Sequence, residues 1–92
     1  LPDTSIQRIL REIDSKDLAK ALKGTNEEVA GIIYKNMSKR ASDMLKDEIK
    51  YMGPIRLREV EEAQQRIVQV IRQLDESGEI IISRGGEDAI LT

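Results

Sequence analysis

Cysteine and histidine are both absent from this sequence of 92 residues. Without cysteine the chain forms neither a disulfide nor a thiolate nucleophile, and this absence fits a reducing compartment. Without histidine it lacks the usual acid–base catalyst near neutral pH and the ligands of a zinc finger. Phenylalanine and tryptophan are also missing, and Tyr34 and Tyr51 are the two aromatic residues. Two tyrosines are too few for the stacking platform of a single-stranded nucleic-acid binder, so that class is disfavoured.

Long apolar runs are missing as well. The longest run covers residues 80–82, whereas a membrane-spanning helix needs about 20 apolar residues. No segment resembles a secretory signal peptide. Because the sequence begins with Leu1 rather than methionine, we expect it to be part of a longer protein.

Charged residues are abundant by contrast. They make up 35% of the sequence and hydrophobic residues 39%, which is typical of a folded domain with a heavily charged surface. The net charge is -2 and the isoelectric point about 5.2, whereas proteins that bind duplex nucleic acid are usually basic. The length predicts a single helical domain over residues 1–92, with a free energy of unfolding of roughly 5–10 kcal/mol.

Apolar residues recur with the 3.6-residue period of an α-helix in five segments. These segments cover about residues 4–13, 15–23, 25–37, 38–52 and 57–77. The expected inward-facing residues are Ile6, Ile9, Leu10 and Ile13; Leu18, Ala21 and Leu22; Val29, Ile32, Ile33 and Met37; Ala41, Met44, Leu45, Ile49 and Met52; and Val60, Ala63, Ile67, Val70, Ile71 and Leu74. Leu57 and Val68 are expected to widen the apolar stripe of the fifth helix. Short loops and the absence of a linker predict an all-α fold, a compact bundle or orthogonal array of five to six helices.

The ends of these helices carry recognisable signals. Thr25 is the expected N-cap of the third helix, as part of a capping box, and Ser38 is the expected N-cap of the fourth. Gly24 is expected to end the second helix in the left-handed conformation. The pair Gly53–Pro54 ends the fourth helix because proline cannot continue it. Beyond the fifth helix, residues 79–83 predict a short extended C-terminal tail, with a short sixth helix near the end as the alternative.

The charges of the fourth helix are dense and interleaved. With Ala41 at the centre of the inward face and about 100° of rotation per residue, one lateral stripe contains Arg40, Asp43, Asp47 and Tyr51. The face opposite the core contains Lys39, Lys46 and Lys50. Glu48 falls beside the apolar sector, which suits a carboxylate only if that edge is open. Asp43 and Asp47 repel each other at i, i+4 by roughly 0.2–0.5 kcal/mol. The pattern fits either a solvated face or an interaction surface, and both interpretations stay open here.

No arrangement of residues predicts catalysis or metal binding. Asp47 and Glu48 are adjacent on a helix, so their side chains point about 100° apart and do not converge on one proton or metal ion. Residues 84–86 read Arg-Gly-Gly, but they lack the lysine and the helix of a phosphate-binding loop and predict a turn. We therefore expect a chain that is not an enzyme and has no cofactor or metal. A generic helical adaptor, or a helix-turn-helix nucleic-acid binder using the basic residues Lys39 and Arg40, is the alternative.

Five short blocks occur in the order and spacing of one known family. They read ALKG, NMSKRA, GPIRL, VEEAQ and SGEI, at residues 21–24, 36–41, 53–57, 60–64 and 77–80. Through these blocks the sequence closely resembles the C-terminal domain of the bacterial flagellar motor switch protein FliG, over nearly the whole chain. The resemblance implies a right-handed, six-helix fold of the armadillo-like superfamily, located at the rim of the cytoplasmic ring of the rotor.

The resemblance also implies a role in torque generation, motility and chemotactic direction switching without covalent chemistry. In that family, charged side chains receive torque from the cytoplasmic loop of the stator protein MotA. The matching positions, called the charged ridge below, are Lys23, Arg40, Asp47, Glu48 and Arg56.

Further partners implied by the resemblance are the switch proteins FliM and FliN and neighbouring FliG subunits, with no nucleic acid and no insertion into the membrane. The implied location is the flagellar basal body, peripheral to the cytoplasmic face of the bacterial inner membrane. The family's N-terminal and middle domains, and the hydrophobic hinge before this domain, are absent from the sequence.

Overall fold

Five α-helices form the part of the chain that the computed structural model describes, residues 2–80. They are α1 (Asp3–Glu12), α2 (Ser15–Lys23), α3 (Glu27–Lys35), α4 (Lys39–Met52) and α5 (Leu57–Glu76). Each of the five periodic segments forms one helix, so the all-α prediction is confirmed. Residues 81–83 of the predicted tail, the Arg-Gly-Gly turn at residues 84–86 and the alternative sixth helix lie outside the described residues.

Side-chain caps define where α2, α3 and α4 begin. The main-chain N–H of Ala41 donates to Oγ of Ser38 at 3.1 Å, so the predicted cap of α4 is confirmed. The predicted cap of α3 is wrong by one residue, because Oδ1 of Asn26 accepts from the N–H of Val29 at 2.9 Å. Oγ1 of Thr25 instead donates to the carbonyl oxygen of Leu22 at 3.1 Å. Thr25 therefore closes α2, and asparagine, which caps at least as well as threonine, starts α3.

Gly53 and Gly24 end their helices for different reasons. Gly53 has φ of +69°, a conformation that side-chain-bearing residues rarely adopt, and with Pro54 it ends α4 as predicted. Gly24 has φ of -102°, so its predicted left-handed conformation is wrong. A β-carbon there would lie 2.5 Å from Cγ1 of Val60. Glycine at position 24 is therefore required by the close approach of α5.

The main core surrounds α2, which packs against both α4 and α5. Leu18, Ala19 and Leu22 of α2 are buried together with Leu45 of α4. Ala19 and Ala63 are completely buried, and side chains this small let α2 and α5 approach closely. A second, smaller cluster joins α1 to the end of α5 and the residues after it, through Ile9, Leu74 and Ile80. The short helix α2 is thus the central element, and α4 and α5 are placed by contact with it.

Five residues predicted to lie on the apolar stripes are exposed instead. Met44 on α4 is 64% exposed, Val29 and Ile32 on α3 are 42% and 40% exposed, and Leu57 and Val68 on α5 are 71% and 38% exposed. The inward side of α4 is formed by Ser42 and Leu45, and Met44 lies about 100° or more around the helix from both. Placing Ala41 at the centre of the inward face was therefore wrong. The helix is rotated so that the side with Met44 faces outward.

The same rotation changes the surroundings of the lysines. Lys46, expected opposite the core, places its Nζ 4.8 Å from the ring centroid of Tyr34 on α3. Nζ of Lys50 lies 5.6 Å from the ring of Tyr51. Both distances are within the range of a cation–π interaction. The side of α4 that carries Lys46 therefore faces α3, and the side that carries Met44 is left open.

Candidate interaction surface

Helix α4 carries three members of the charged ridge. Because Ser38 caps the helix, the first turn begins at Lys39 and the register of the following residues is defined. Arg40 and Asp47 are seven residues apart, which places them about 20° apart around the axis and about 10 Å apart along it. Glu48 follows Asp47 and lies about 80° from Arg40, on the flank that also carries Met44. One side of α4 therefore presents a positive charge followed by two negative charges.

The other two members lie near the start of α5. Arg56 is the N-cap residue of α5, and its main-chain N–H donates to Oε2 of Glu59 at 3.2 Å. Lys23 is the last residue of α2. The adjacent Gly24 lies against Val60, which is one helical turn after Arg56. Tertiary packing thus brings the end of α2 and the beginning of α5 together, which the sequence pattern alone does not predict.

Exposure divides the ridge residues into two groups. Lys23, Arg40, Asp47 and Arg56 are exposed, and Glu48 is half-buried. Glu48 was expected to need an open edge, and its carboxylate does lie at the edge of an open cleft beside α4. Within residues 2–80, none of the five ridge side chains forms an ion pair. All five charges are therefore available to a partner from outside the described part of the chain.

Some of the charges elsewhere in the fold form internal ion pairs. The guanidinium of Arg66 on α5 donates to both carboxylate oxygens of Asp17 on α2, from Nε at 3.0 Å and from Nη2 at 2.8 Å. These hydrogen bonds lower the pKa of the Asp17 carboxyl, because they stabilise its charged form. Arg8 on α1 pairs with both Glu12 and Glu79. Internal ion pairs therefore cluster on the α1 and α5 sides of the molecule, away from the ridge on α4.

An open cleft of about 790 Å³ runs beside the ridge, between α4 and the start of α2. Leu18 and Leu45, both buried, form its floor, and Met44 and Tyr51 line its outer part. Tyr51 is 79% exposed. Sequence reasoning missed this cleft because it assigned Met44 to the core. One feature of the sequence did point to this surface: Tyr51 lies in the same lateral stripe of α4 as the charged residues Arg40 and Asp47.

The model of the family described as the FliG C-terminal domain matches residues 1–82 of the sequence. The chain belongs to this family. The resemblance predicted from the five sequence blocks is thereby confirmed.

Individual members of the FliG family match over almost the whole chain. The flagellar motor switch protein FliG of Thermotoga maritima is 58% identical over 91 residues, which is 99% of this chain and 27% of that protein. The FliG of Bacillus subtilis is 48% identical over 91 residues, again 99% of this chain and 27% of that protein. The chain thus spans about a quarter of the length of the curated relatives that it matches.

Solved FliG structures share the fold. Full-length FliG from Aquifex aeolicus superposes with a TM-score of 0.82 at 35% identity, over 85% of this chain and 24% of that one. Residues 86–343 of FliG from H. pylori superpose with a TM-score of 0.82 at 33% identity, over 85% of this chain and 37% of that one. The family's members are named as motor switch proteins and not as enzymes, in agreement with the prediction that the chain performs no catalysis.

The described part of this FliG family member lacks both groups that could hold a metal ion and helices that could cross a membrane. Residues 2–80 contain no group of three or more acidic side chains that could hold a metal ion. Within the same range, each helix is too short or too polar to cross a membrane. The assignment of the charged ridge to a partner stays a prediction.

Proposed function

We propose that this chain is the torque-receiving domain of a flagellar rotor, which contacts the cytoplasmic loop of the stator protein MotA through the charged ridge. One observation carries the proposal: the five ridge charges have no ion-pair partner within residues 2–80, and each ion pair in that range joins side chains outside α4. Unpaired charges at the surface of a domain are suited to intermolecular contact. Family membership supplies the biological setting.

The energetics of exposed charges fit a contact that forms and breaks repeatedly. An ion pair between exposed side chains is worth only roughly 0–1 kcal/mol, so a few such pairs hold a passing partner briefly. Their attraction is screened over about 8–10 Å at physiological salt. We infer that the contact depends on several weak pairs together, and that the loss of any single pair is tolerated.

The remaining partners belong to the same proposal. We infer that the rotor protein containing this domain is peripheral to the cytoplasmic face of the inner membrane in the flagellar basal body. There it contacts FliM, FliN and neighbouring FliG subunits and contributes to direction switching. Because the chain spans about a quarter of its relatives, we assign those ring contacts to regions of FliG outside this chain.

Charge reversal in a chimeric protein tests the stator contact. The chain replaces the aligned 91 residues of Bacillus subtilis FliG, in cells that lack their own copy. Reversal of Asp47 and Glu48 together (D47K/E48K) is expected to abolish swimming at an unchanged protein level. The matched control is E61K/E62K, which reverses an adjacent, exposed acidic pair in the second turn of α5 and is expected to swim.

Normal swimming of the D47K/E48K chimera would contradict the proposal. A compensating change provides the direct evidence of contact. If a basic residue of the stator loop is changed to glutamate, swimming of the reversed chimera should return, whereas the E61K/E62K chimera should gain nothing from the same change.

A further inference from the structure

The open cleft beside the charged ridge contains every methionine of the chain. The sequence has three, Met37, Met44 and Met52, and all of them line this cleft. The three methionines and Tyr51 line this cleft together with its buried floor. We call this surface the methionine cleft. Methionine is flexible and polarizable, and it is enriched where a surface must adapt to a partner. The concentration of all three in one open depression therefore indicates a binding surface.

Met37 and Met52 are half-buried and pack against the core, whereas Met44 and Tyr51 form the exposed part of the lining. Met44 is 64% exposed and Tyr51 is 79% exposed, so neither is required to complete the core. Both lie on the side of α4 that carries Arg40 and Asp47. An apolar depression rimmed by polar residues is typical of protein interaction sites. The apolar surface and the charged ridge thus form one continuous face.

The rim of the methionine cleft has opposite charges on its two sides. Asp47 and Glu48 lie along the α4 side, and Lys16 lies on the α2 side. Neither these carboxylates nor the Lys16 ammonium forms an ion pair within residues 2–80. The neighbouring Asp17 is already paired with Arg66. A complementary segment therefore needs a basic residue toward α4 and an acidic residue toward α2.

The length of the cleft matches a short helix. Its α4 wall contains the twelve residues from Ala41 to Met52, a distance of about 16 Å or three helical turns. An amphipathic helix that binds in a groove uses apolar residues at i, i+3, i+4 and i+7, which spans about 10 Å. Two turns of such a helix fit along this wall, with one flank beside Asp47 and Glu48.

We propose that the methionine cleft binds a short amphipathic helix of the protein that contacts the charged ridge. The apolar residues of this helix pack on Met37, Met44 and Met52, its basic flank faces Asp47 and Glu48, and its acidic flank faces Lys16. The identity of the partner rests on the proposed function, whereas the cleft's preference for an amphipathic helix does not. The stator contact then has an apolar anchor that salt does not screen, besides the charges.

Methyl NMR of the 92-residue chain tests the cleft directly. Labelling methionine methyl groups with ¹³C produces three resonances, all from this cleft. The first probe is a synthetic 14-residue helix with four leucines at i, i+3, i+4 and i+7, lysines on one flank and glutamates on the other. A second peptide replaces the four leucines with serine, and a third exchanges the two charged flanks.

The leucine peptide is expected to shift all three methyl resonances, and added salt should weaken its binding without abolishing it. The serine peptide should leave the resonances in place. The flank-exchanged peptide should bind roughly fivefold more weakly, as expected when a few exposed ion pairs are lost. Absence of shifts with the leucine peptide at millimolar concentration, or equal shifts with the serine peptide, overturns the proposal.

Two other occupants are distinguished in the same experiment. Methyl resonances that move with protein concentration in the absence of peptide would show that a second copy of the chain fills the cleft. Resonances that move when the chain is shortened to residues 1–80 would show that its own C-terminal residues do so. Either result rejects the partner helix as the occupant.

Motility separates failure of this inference from failure of the proposed function. M44Q/Y51S in the chimera is expected to reduce swimming severalfold, and I32Q, an exposed apolar position on α3 outside the cleft, is the control. If D47K/E48K stops swimming while M44Q/Y51S swims normally and the leucine peptide causes no shift, the apolar anchor is rejected and the charge contact stands. If D47K/E48K swims normally, the proposed function fails, and the methyl shifts still decide whether the cleft binds a helix.

Discussion

A β-carbon at Gly24 would lie 2.5 Å from Cγ1 of Val60, a distance that no well-packed pair of carbon atoms allows. The contact lies between the end of α2 and the second turn of α5. It sets how closely the two helices approach near Lys23 and Arg56. The position of these two ridge residues therefore depends on the absence of a side chain at residue 24.

Substitution of Gly24 by alanine tests this contact. We expect G24A to lower the free energy of unfolding by about 1–3 kcal/mol, because an overpacked methyl group forces the backbone or Val60 to move. Urea unfolding followed by circular dichroism measures the loss. The double variant G24A/V60A should be less destabilised than the sum of the two single variants. Simple additivity would show that the two residues do not compete for the same space.

Gly31 provides the opposite case within α3. A β-carbon there would meet nothing within 4 Å, and the residue is helical and exposed. We expect G31A to raise the free energy of unfolding by up to about 1 kcal/mol, because alanine restricts the unfolded chain and favours the helix. The same urea measurement applies. A destabilising effect would mean that this face of α3 is covered.

Removal of the Ser38 cap should weaken the start of α4. S38A is expected to cost about 1 kcal/mol, because the N–H of Ala41 loses its hydrogen-bond acceptor. Amide hydrogen exchange should quicken in the first turn, which contains Arg40. The control S38D supplies another acceptor and a negative charge at the positive end of the helix dipole, so it should retain the stability. Equal losses in S38A and S38D would contradict the capping role.

The Asp17–Arg66 pair predicts a dependence of stability on pH. Hydrogen bonds from Arg66 lower the pKa of Asp17 in the folded state, below about 3.9 for the unfolded chain. The pair therefore stabilises the fold above the unfolded pKa, and this contribution is lost as the pH falls through the lower folded pKa.

Urea midpoints of wild type and D17N between about pH 7 and pH 2 measure that contribution. The two proteins should differ most near neutral pH and converge in acid. A difference between D17N and wild type that stays constant with pH would contradict the role of the pair.

Single losses of ridge charge should be tolerated. R40Q or R56Q alone is expected to leave the chimera swimming at reduced speed, because each exposed ion pair is worth only roughly 0–1 kcal/mol. The double variant R40Q/R56Q should be clearly slower than either. Speeds of tethered cells measure the effect, and R58Q, an exposed arginine without an ion pair in the described range, is the control. Loss of swimming from R58Q alone would point to nonspecific damage.

The five helices and several of their ends follow from the sequence itself. Period and caps are local signals: Ser38 acts on an N–H three residues away, and Pro54 interrupts the helix that would contain it. Such interactions form within one turn, so they are predictable without the remaining fold. The unusual charge pattern of α4 is also local. Its assignment to a ridge that includes Lys23 and Arg56 came from the family resemblance and not from periodicity.

Tertiary packing decided what lies on which side of each helix. Met44 and Ser42 lie on the same helix, and residue type alone would place the methionine inside and the serine outside. In the folded chain Ser42 is buried and Met44 is exposed. The difference arises because the rotation of α4 depends on how Leu45 packs against Leu18 and Ala19 of α2. Apolar periodicity identifies a broad stripe but not its centre, since burial is a property of neighbouring elements. For the same reason the role of Gly24 and the presence of the methionine cleft are visible only in the folded chain.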